Sequence, residues 1–302
     1  MIVSRQKSNQ LKSIAILMML CLHLFNRNYS GLFQPLIFMG NQPLSYYISI
    51  FSDACVPIFA FISGYGLYFS YINNPKGYYK KNIGRIKQLY LRYWIIILLF
   101  VVLLGWFVTE PGYPGDLRKF ILNLTGLRPS YNGAWWFFTI YILFVFTSKF
   151  WFRLIDRLNP YFFISGLLLI YIVAFYFRIY KTNIFHNAIL HWFQTQIALY
   201  FCTLFQFMLG AFALKYQWHN KVSILFDKIR FVNLWSFIGI LGLIILHGLV
   251  PNFIIAPITA LGFIFLFLQI QLGKFFEKGL SFFTPHSTNL WLIHMFFLYG
   301  LF

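Results

Sequence analysis

The chain has 302 residues, of which 60% are hydrophobic and only 10% are charged, and its mean hydropathy is +0.71. A soluble domain carries about 25% charged residues, so this composition excludes a soluble enzyme and a disordered protein and indicates an all-α, polytopic membrane protein. The formal net charge of +18 would suggest a nucleic-acid partner in a soluble protein. Because the basic residues fall in short loops between apolar runs, we instead expect contact with membrane lipid and no nucleic-acid partner.

Nine apolar runs are candidates for membrane-spanning helices, each of which needs ~20 mainly apolar residues. They cover residues 11–25, 45–72, 89–109, 134–152, 161–177, 188–214, 231–250, 252–272 and 288–302. No small-residue cleavage site follows the first run, so we expect it to stay in the protein as the first span. The last run stops at Phe302 with no polar residue after it, so we expect that it is trimmed or that a tail is missing. We predict one domain over 1–302, a helical bundle of about nine to ten spans.

The basic residues predict the orientation of this bundle. If the N-terminus is cytoplasmic, eighteen of the 24 Lys and Arg residues fall in inner segments. The outer segments then hold the other six, which are Arg27, Arg118, Lys119, Arg128, Arg178 and Lys181. Inner loops of membrane proteins are enriched in Lys and Arg. The bias therefore predicts a cytoplasmic N-terminus, and the longest outer loop, residues 110–133, reads as a structured cap.

Three side chains inside the runs, His23, Asp53 and His294, are the main candidates for a functional site, because ionisable groups inside a span are expensive and usually functional. His23 follows Lys12 by eleven residues, which at ~100° per residue places both on one helix face, ~16.5 Å apart. Asp53 is the acid inside the second run, at a depth similar to His23. A carboxylate can orient an imidazole. Alternatives are a snorkelling Lys12 and a His23 that is hydrogen-bonded for structure or lies at the membrane interface. For Asp53 they are a structural hydrogen bond to a neighbouring helix or an ion pair with Arg27.

Further candidates lie deeper in the chain. Ser63 precedes Gly64, and small residues there also favour close helix packing. Trp136 stands at a span end, where an interfacial aromatic belt is the simpler interpretation. His294 belongs to the last run, whereas His247 is explained by a position at the membrane interface. No metal-ligand spacing, disulfide framework, Walker loop or Gly-x-Ser-x-Gly motif is present, so we predict acid–base chemistry without a metal.

Four stretches resemble the integral-membrane acyltransferase-three family, whose members O-acylate bacterial surface sugars and related acceptors. They are the basic residue eleven before a histidine in 11–23, the aromatic-rich Phe-x-Ser-Gly stretch in 56–65, the basic entry to the third helix in 79–94, and the aromatic-Leu-Ile-His motif in 291–294. Their order runs across nearly the whole chain. The chain departs from the family in having Lys12 where arginine is usual and Leu91 where proline is common. The family's paired-arginine motif reads here Arg85-Ile86-Lys87-Gln88, so its second arginine is missing.

The resemblance implies an O-acetyltransferase of the bacterial inner or plasma membrane. Its donor is a cytoplasmic acyl-CoA, most often acetyl-CoA, its acceptor is a hydroxyl of an extracytoplasmic glycan, and no cofactor stays bound. We expect donor phosphates near the cationic side chains of the inner surface, namely Lys12, Arg85, Lys87 and Arg92. The pantetheine arm would present its thioester near His23, acting as general base or through an acyl-histidine, with Asp53 orienting it.

Two other classes of function stay open at this point. A transporter or flippase of a lipid-linked or polymeric glycan is one, although the sequence shows no internal repeat that would favour it. A sensor or scaffold that keeps the fold without the chemistry is the other, because the second arginine is missing. Transfer of label from acetyl-CoA distinguishes an enzyme from both.

Overall fold

The computed structural model describes residues 3–26, 34–108 and 112–298. Their secondary structure is almost entirely helical. The chain divides into two compact units, one formed by Met1–Phe69 and Phe150–Pro285 and the other by Ser70–Lys149 and His286–Phe302. The boundaries fall within two long helices, α3 (Cys55–Asn73) and α7 (Trp136–Arg157).

Unit 1 contains most of the helices and one very short hairpin. Its elements, besides parts of α3 and α7, are α1 (Arg5–Phe25), β1 (Phe38–Met39), β2 (Gln42–Pro43), α2 (Leu44–Phe51), a 3₁₀ turn (Ser52–Ala54), α8 (Pro160–Ile179), α9 (Ala188–Lys215), α10 (Trp218–Phe226), α11 (Val232–Leu249), a 3₁₀ turn (Phe253–Ile255), α12 (Ala256–Gln269) and α13 (Lys274–Phe283). The two strands pair antiparallel, with Phe38 opposite Pro43.

Side-chain caps start several helices of unit 1. The Ser4 hydroxyl accepts from the Lys7 backbone N–H at the start of α1. Asn159 caps α8, whose first residue is Pro160, a position where proline loses no helical hydrogen bond. Asn187 accepts from two backbone N–H groups of α9. These caps satisfy donors that a helix start otherwise leaves unpaired.

Helix α9 forms the core of unit 1, because nearly every residue from Ala198 to Leu214 is buried. Two glycines let it approach α3 closely. A Cβ at Gly64 would lie 1.7 Å from the Phe207 carbonyl oxygen, and one at Gly210 would lie 2.0 Å from the Phe61 carbonyl oxygen. Both distances are far below contact, so the two backbones touch where only glycine fits.

Unit 2 contains α4 (Tyr78–Ile96), a π-helical segment (Ile97–Leu103), α5 (Leu104–Val108), α6 (Leu117–Leu124), a 3₁₀ turn (Gly133–Trp135), the first part of α7, and α14 (Ser287–Leu298). Its core is a cluster of aromatic and aliphatic side chains. They are Tyr93, Ile96, Ile97, Val101, Tyr131, Trp135, Phe138, Leu292 and Phe296. Helix α6 lies in the predicted outer loop and is capped by Asp116, which accepts from the Lys119 N–H.

Within the described residues, seven helical stretches are long and apolar enough to cross a membrane, and the chain is a helical membrane protein. They coincide with the first seven predicted runs, and α12 and α14 occupy the last two as shorter helices. The number of spans and the cytoplasmic N-terminus stay predictions. Two of these helices begin well before their predicted runs, α1 at Arg5 and α4 at Tyr78, because their first turns are polar and basic and fall outside a hydropathy run.

Candidate active site

Helix α1 carries both Lys12 and His23, and both side chains are half-buried. The residues between them include the fully buried Ala15 and Ile16, which bury one side of the helix in unit 1. His23 lies in the last turn of the helix, and Lys12 lies in its first half. The structure therefore keeps these two side chains on one rigid element, about three helical turns apart.

The turn that carries Asp53 packs against α1. Helix α2 ends at Phe51, the 3₁₀ turn Ser52–Ala54 follows, and both α2 and this turn contact α1. The side chains of Ser52 and Cys21 form a hydrogen bond. Because Cys21 is two residues before His23 and Ser52 is next to Asp53, this bond brings the Asp53 turn to the end of α1 that carries His23. The catalytic roles of His23 and Asp53 stay predictions.

Arg178 is a residue of this region that the sequence analysis did not identify as a site residue. It lies in the last turn of α8 and close enough to Asp53 for a direct electrostatic interaction. Its guanidinium donates a hydrogen bond to the Cys202 side chain on α9. A buried carboxylate is costly without a compensating charge, and Arg178 supplies one. Arg27, the partner considered from sequence, lies outside the described residues.

The Arg178 guanidinium is held in place by an aromatic ring and a hydrogen-bonded turn. Its central carbon lies 4.7 Å from the centroid of the Phe253 ring, a distance at which cation–π attraction is effective. The turn that carries Phe253 is fixed in its own right, because the Tyr171 hydroxyl donates to the Ile254 carbonyl oxygen at 3.0 Å. The only sequence signal for Arg178 was its position at the outer end of a predicted span.

His247 lies beside the Asp53 turn and is fully enclosed by protein, with 0% of its surface exposed. Its ring meets that of Phe51 edge to face, with centroids 6.2 Å apart. Nδ1 lies 3.4 Å from the Thr259 hydroxyl, whereas Nε2 is buried without a hydrogen-bond partner in the described part of the chain. Helix α11 turns this position toward α2 and α12, so His247 packs inside unit 1, and its depth at the membrane interface stays a prediction.

The basic residues of α4 belong to unit 2 and differ from one another in surroundings. Arg85 is half-buried, and its guanidinium donates to the Asn82 side-chain oxygen at 2.6 Å. It also lies within electrostatic range of Tyr78 and Tyr141. Lys87 and Arg92 are exposed. Arg85 is thus a positioned guanidinium, and the other two are cations on the helix surface. Lys12, predicted to join them in donor binding, belongs to unit 1.

The aromatic-Leu-Ile-His stretch attaches α14 within unit 2. The Leu292 carbonyl oxygen accepts from Asn132 Nδ2 at 3.0 Å and from Trp135 Nε1 at 2.9 Å. Trp291 Nε1 donates to the Ala134 carbonyl oxygen at 3.0 Å. His294 is 4% exposed, and its Nδ1 lies 2.9 Å from the Trp291 carbonyl oxygen. This geometry makes the stretch a helix anchor, in which His294 faces the interior.

The two remaining candidates have surroundings that suit packing. Trp136 is half-buried at the start of α7, and its ring meets Phe137 edge to face at 5.8 Å. Ser63 is half-buried on α3, next to the glycine that contacts α9. Among the residues that the structure describes, no three His, Cys, Asp or Glu side chains are grouped as metal ligands.

These helices define a multi-pass membrane protein that holds ionisable side chains at the His23 end of α1. A family model described as an acyltransferase domain, that of the acyltransferase-three family, matches residues 6–302. The chain therefore belongs to this family and is a membrane acyltransferase, which confirms the resemblance stated from the four motif stretches. No curated protein and no solved structure matches the chain.

Proposed function

We propose that this acyltransferase moves an acyl group, most readily acetyl, from cytoplasmic acyl-CoA to a hydroxyl of an extracytoplasmic glycan. We place it in the bacterial inner or plasma membrane with its N-terminus in the cytoplasm. The observation that carries the proposal is the packing of the Asp53 turn on the His23 end of α1. Lys12 lies three turns away, on the side where the donor phosphates would bind.

In the reaction, His23 accepts the proton of the acceptor hydroxyl while the hydroxyl oxygen forms a bond to the thioester carbonyl carbon. The carbon–sulfur bond then breaks, and the CoA sulfur leaves as a thiolate that takes the proton back from the imidazolium. Asp53 stabilises the imidazolium form, and general-base catalysis of this kind contributes typically ~10²–10⁴-fold. In the acyl-histidine variant, an imidazole nitrogen attacks the thioester carbonyl carbon, the carbon–sulfur bond breaks, and the CoA thiolate leaves with the imidazole N–H proton. The acceptor hydroxyl oxygen then attacks the acyl carbon, the carbon–nitrogen bond breaks, and the hydroxyl proton returns to the imidazole.

Arg178 has a defined place in this proposal. Asp53 needs a compensating charge to stay in an apolar surrounding. Arg178 provides this charge from α8, so the charge does not have to come from a residue of α1. The carboxylate is then held between a guanidinium and the end of α1. This arrangement supports a positioned Asp53, and it leaves the imidazole as the proton acceptor.

The experiment is a transfer assay in proteoliposomes that contain the purified protein. Acetyl-CoA labelled in the acetyl group is supplied on one side and candidate glycans on the other, in both orientations. We expect label on the glycan only when acetyl-CoA meets the side on which the N-terminus is exposed to protease. Movement of glycan without label would contradict the enzyme and favour a glycan transporter, and a protein that does neither would be a scaffold.

A further inference from the structure

Two small cavities lie next to each other inside unit 1. Their volumes, 20 and 10 Å³, leave room for about one water molecule each. The first is bordered on one side by Val3, Ser8 and Leu11, near the start of α1. The second lies between α3, α9 and α12 and is bordered by Pro57 and Gln206 among apolar side chains. Phe61 lines both.

The two cavities follow one stripe of α3 that leads toward Asp53. Pro57, Phe61 and Tyr65 are spaced by four residues and therefore share a helix face, over ~12 Å of the axis. Asp53 lies four residues before Pro57, in the turn that starts α3. At the other end the Tyr65 hydroxyl accepts from the Val3 backbone N–H at 3.0 Å. The stripe thus extends from the start of the described chain to the Asp53 turn.

Helix α12 follows the same course on the facing side. Leu268 lines the first cavity, whereas Ile264 and Pro257 line the second. The order of cavities along α12 is therefore the same as along α3. The two helices together border a discontinuous line of free volume, interrupted at Phe61.

Gln206 is the polar side chain in the lining of the second cavity. It is 2% exposed, and its Oε1 is buried with no hydrogen-bond partner among the described residues. A buried acceptor without a partner destabilises a protein, so it is expected where a ligand supplies the missing donor. The position of Gln206 is fixed, because the neighbouring Gly210 holds α9 against the Phe61 carbonyl oxygen.

We propose that this line of cavities is the closed form of the path taken by the pantetheine arm of the donor, and that Gln206 Oε1 accepts a hydrogen bond from a pantetheine amide N–H. The inference rests on the proposed acyl-CoA donor. A slender chain of methylene groups and amides matches an apolar path with one amide acceptor. Leu11, which borders the first cavity, is next to Lys12, so the mouth of the path lies beside a cation suited to the CoA phosphates.

Phe61 then acts as the gate of this path. Its ring stacks on Tyr65 with centroids 6.5 Å apart and meets Phe265 edge to face at 6.4 Å. Its backbone is fixed by Gly210, so the ring rather than the helix moves when the two cavities join. The closed gate separates the first cavity from the second, which is nearer Asp53. This separation keeps water out of the path when no donor is bound.

The first test compares two donors in Gln206→Leu, with Gln196→Leu on the same helix as the matched control. Wild type and variants are assayed with acetyl-CoA and with the acetyl thioester of a short alkanethiol, which has no amide. We expect Gln206→Leu to raise KM for acetyl-CoA about five- to tenfold, the effect of one hydrogen bond, with kcat and the alkanethiol donor unchanged. Equal loss with both donors, or no change with acetyl-CoA, would overturn the role of Gln206.

The second test needs no acyl transfer. Leu209→Cys places a thiol in the second cavity, Leu261→Cys does so from α12, and Ile197→Cys, at a position 54% exposed on α9, is the control. Each variant is treated with the pyridyl disulfide of CoA, and the masses of its peptides are compared with those of wild type. We expect CoA on the new thiol of the Leu209→Cys or the Leu261→Cys variant and none on that of the control. If wild type acetylates glycans but neither variant captures CoA, the path is refuted. If a variant captures CoA but wild type does not acetylate glycans, only the proposed acceptor is refuted.

Discussion

Both units bury polar side chains in an apolar chain, and Asn123 in unit 2 and the Asp53 region in unit 1 show two contrasting uses of them. In unit 2, the fully buried Asn123 uses its whole amide: Nδ2 donates to the Lys119 carbonyl and the Ser130 hydroxyl, and Oδ1 accepts from the Ser130 and Tyr131 N–H groups. In unit 1, the Asp53 carboxylate faces Arg178, and Gln206 Oε1 and His247 Nε2 have no partner within the described ranges. An amide whose donors and acceptors all have hydrogen-bond partners fixes a segment of backbone. An ionisable group, or a polar group without a hydrogen-bond partner, can take part in a reaction or bind a ligand.

The predicted outer segment of unit 2 shows the structural use of polar groups most clearly. The Tyr113 hydroxyl donates to the Tyr131 carbonyl oxygen at 2.8 Å, and the Tyr131 hydroxyl donates to the Pro114 carbonyl oxygen. Burial, with Asp116 and Tyr113 nearby, raises the pKa of Tyr131 to about 12. Tyr131 therefore stays a neutral donor throughout the physiological pH range, and its two hydrogen bonds hold the segment in place without a change of charge.

The comparison predicts, first, that His23→Ala removes activity without removing stability. We expect acyl transfer to fall about 10²–10⁴-fold, because the proton acceptor is lost, while the thermal midpoint in detergent stays close to that of wild type. His286→Ala, at an exposed histidine of unit 2, is the control and should keep full activity. Acylation by His23→Ala at the wild-type rate would remove His23 from the mechanism.

The second prediction concerns Asn123, where we expect the reverse of the first: stability falls and activity is kept. Asn123→Leu leaves several buried donors and acceptors without partners, and we expect it to lower the free energy of unfolding by about 3 kcal/mol. The activity of the molecules that remain folded should change little. Denaturant titration in detergent measures the first quantity, and turnover per folded molecule measures the second. Thr125→Ala, at an exposed hydroxyl two residues later, should be nearly neutral.

The third prediction tests whether Asp53 and Arg178 act as one unit. We expect Asp53→Asn to lower kcat about tenfold to a hundredfold, and Arg178→Gln to lower it by a similar factor, because either change leaves the other group without its charge partner. The double variant should be no worse than the worse single one, since coupled residues are not additive. Independent, multiplied losses in this double-mutant cycle would show that Arg178 acts on something other than Asp53.

The region around Asp53 also shows how far the sequence could lead. The relation between Lys12 and His23 follows from helical periodicity alone, and the apolar runs located the long helices. The partner of Asp53 did not follow, because Arg178 comes from another helix and hydropathy says nothing about which helices pack together. For the same reason the packing of His247 against α2 and α12 did not follow. The short helices α6, α10 and α13 were missed because a short amphipathic segment gives no apolar run.

The smallest expected effect separates a positioned cation from surface cations. Arg85 is held by Asn82, whereas Lys87 and Arg92 are exposed, and a preorganised guanidinium binds phosphate more effectively than a mobile ammonium. We therefore expect Arg85→Ala to raise KM for acetyl-CoA about fivefold at low salt, and Lys87→Ala to raise it less than about twofold, since exposed charges are screened. Arg85→Lys should recover part of the loss. Equal effects of all three cations would mean that unit 2 attracts the donor by charge alone, with no built phosphate contact.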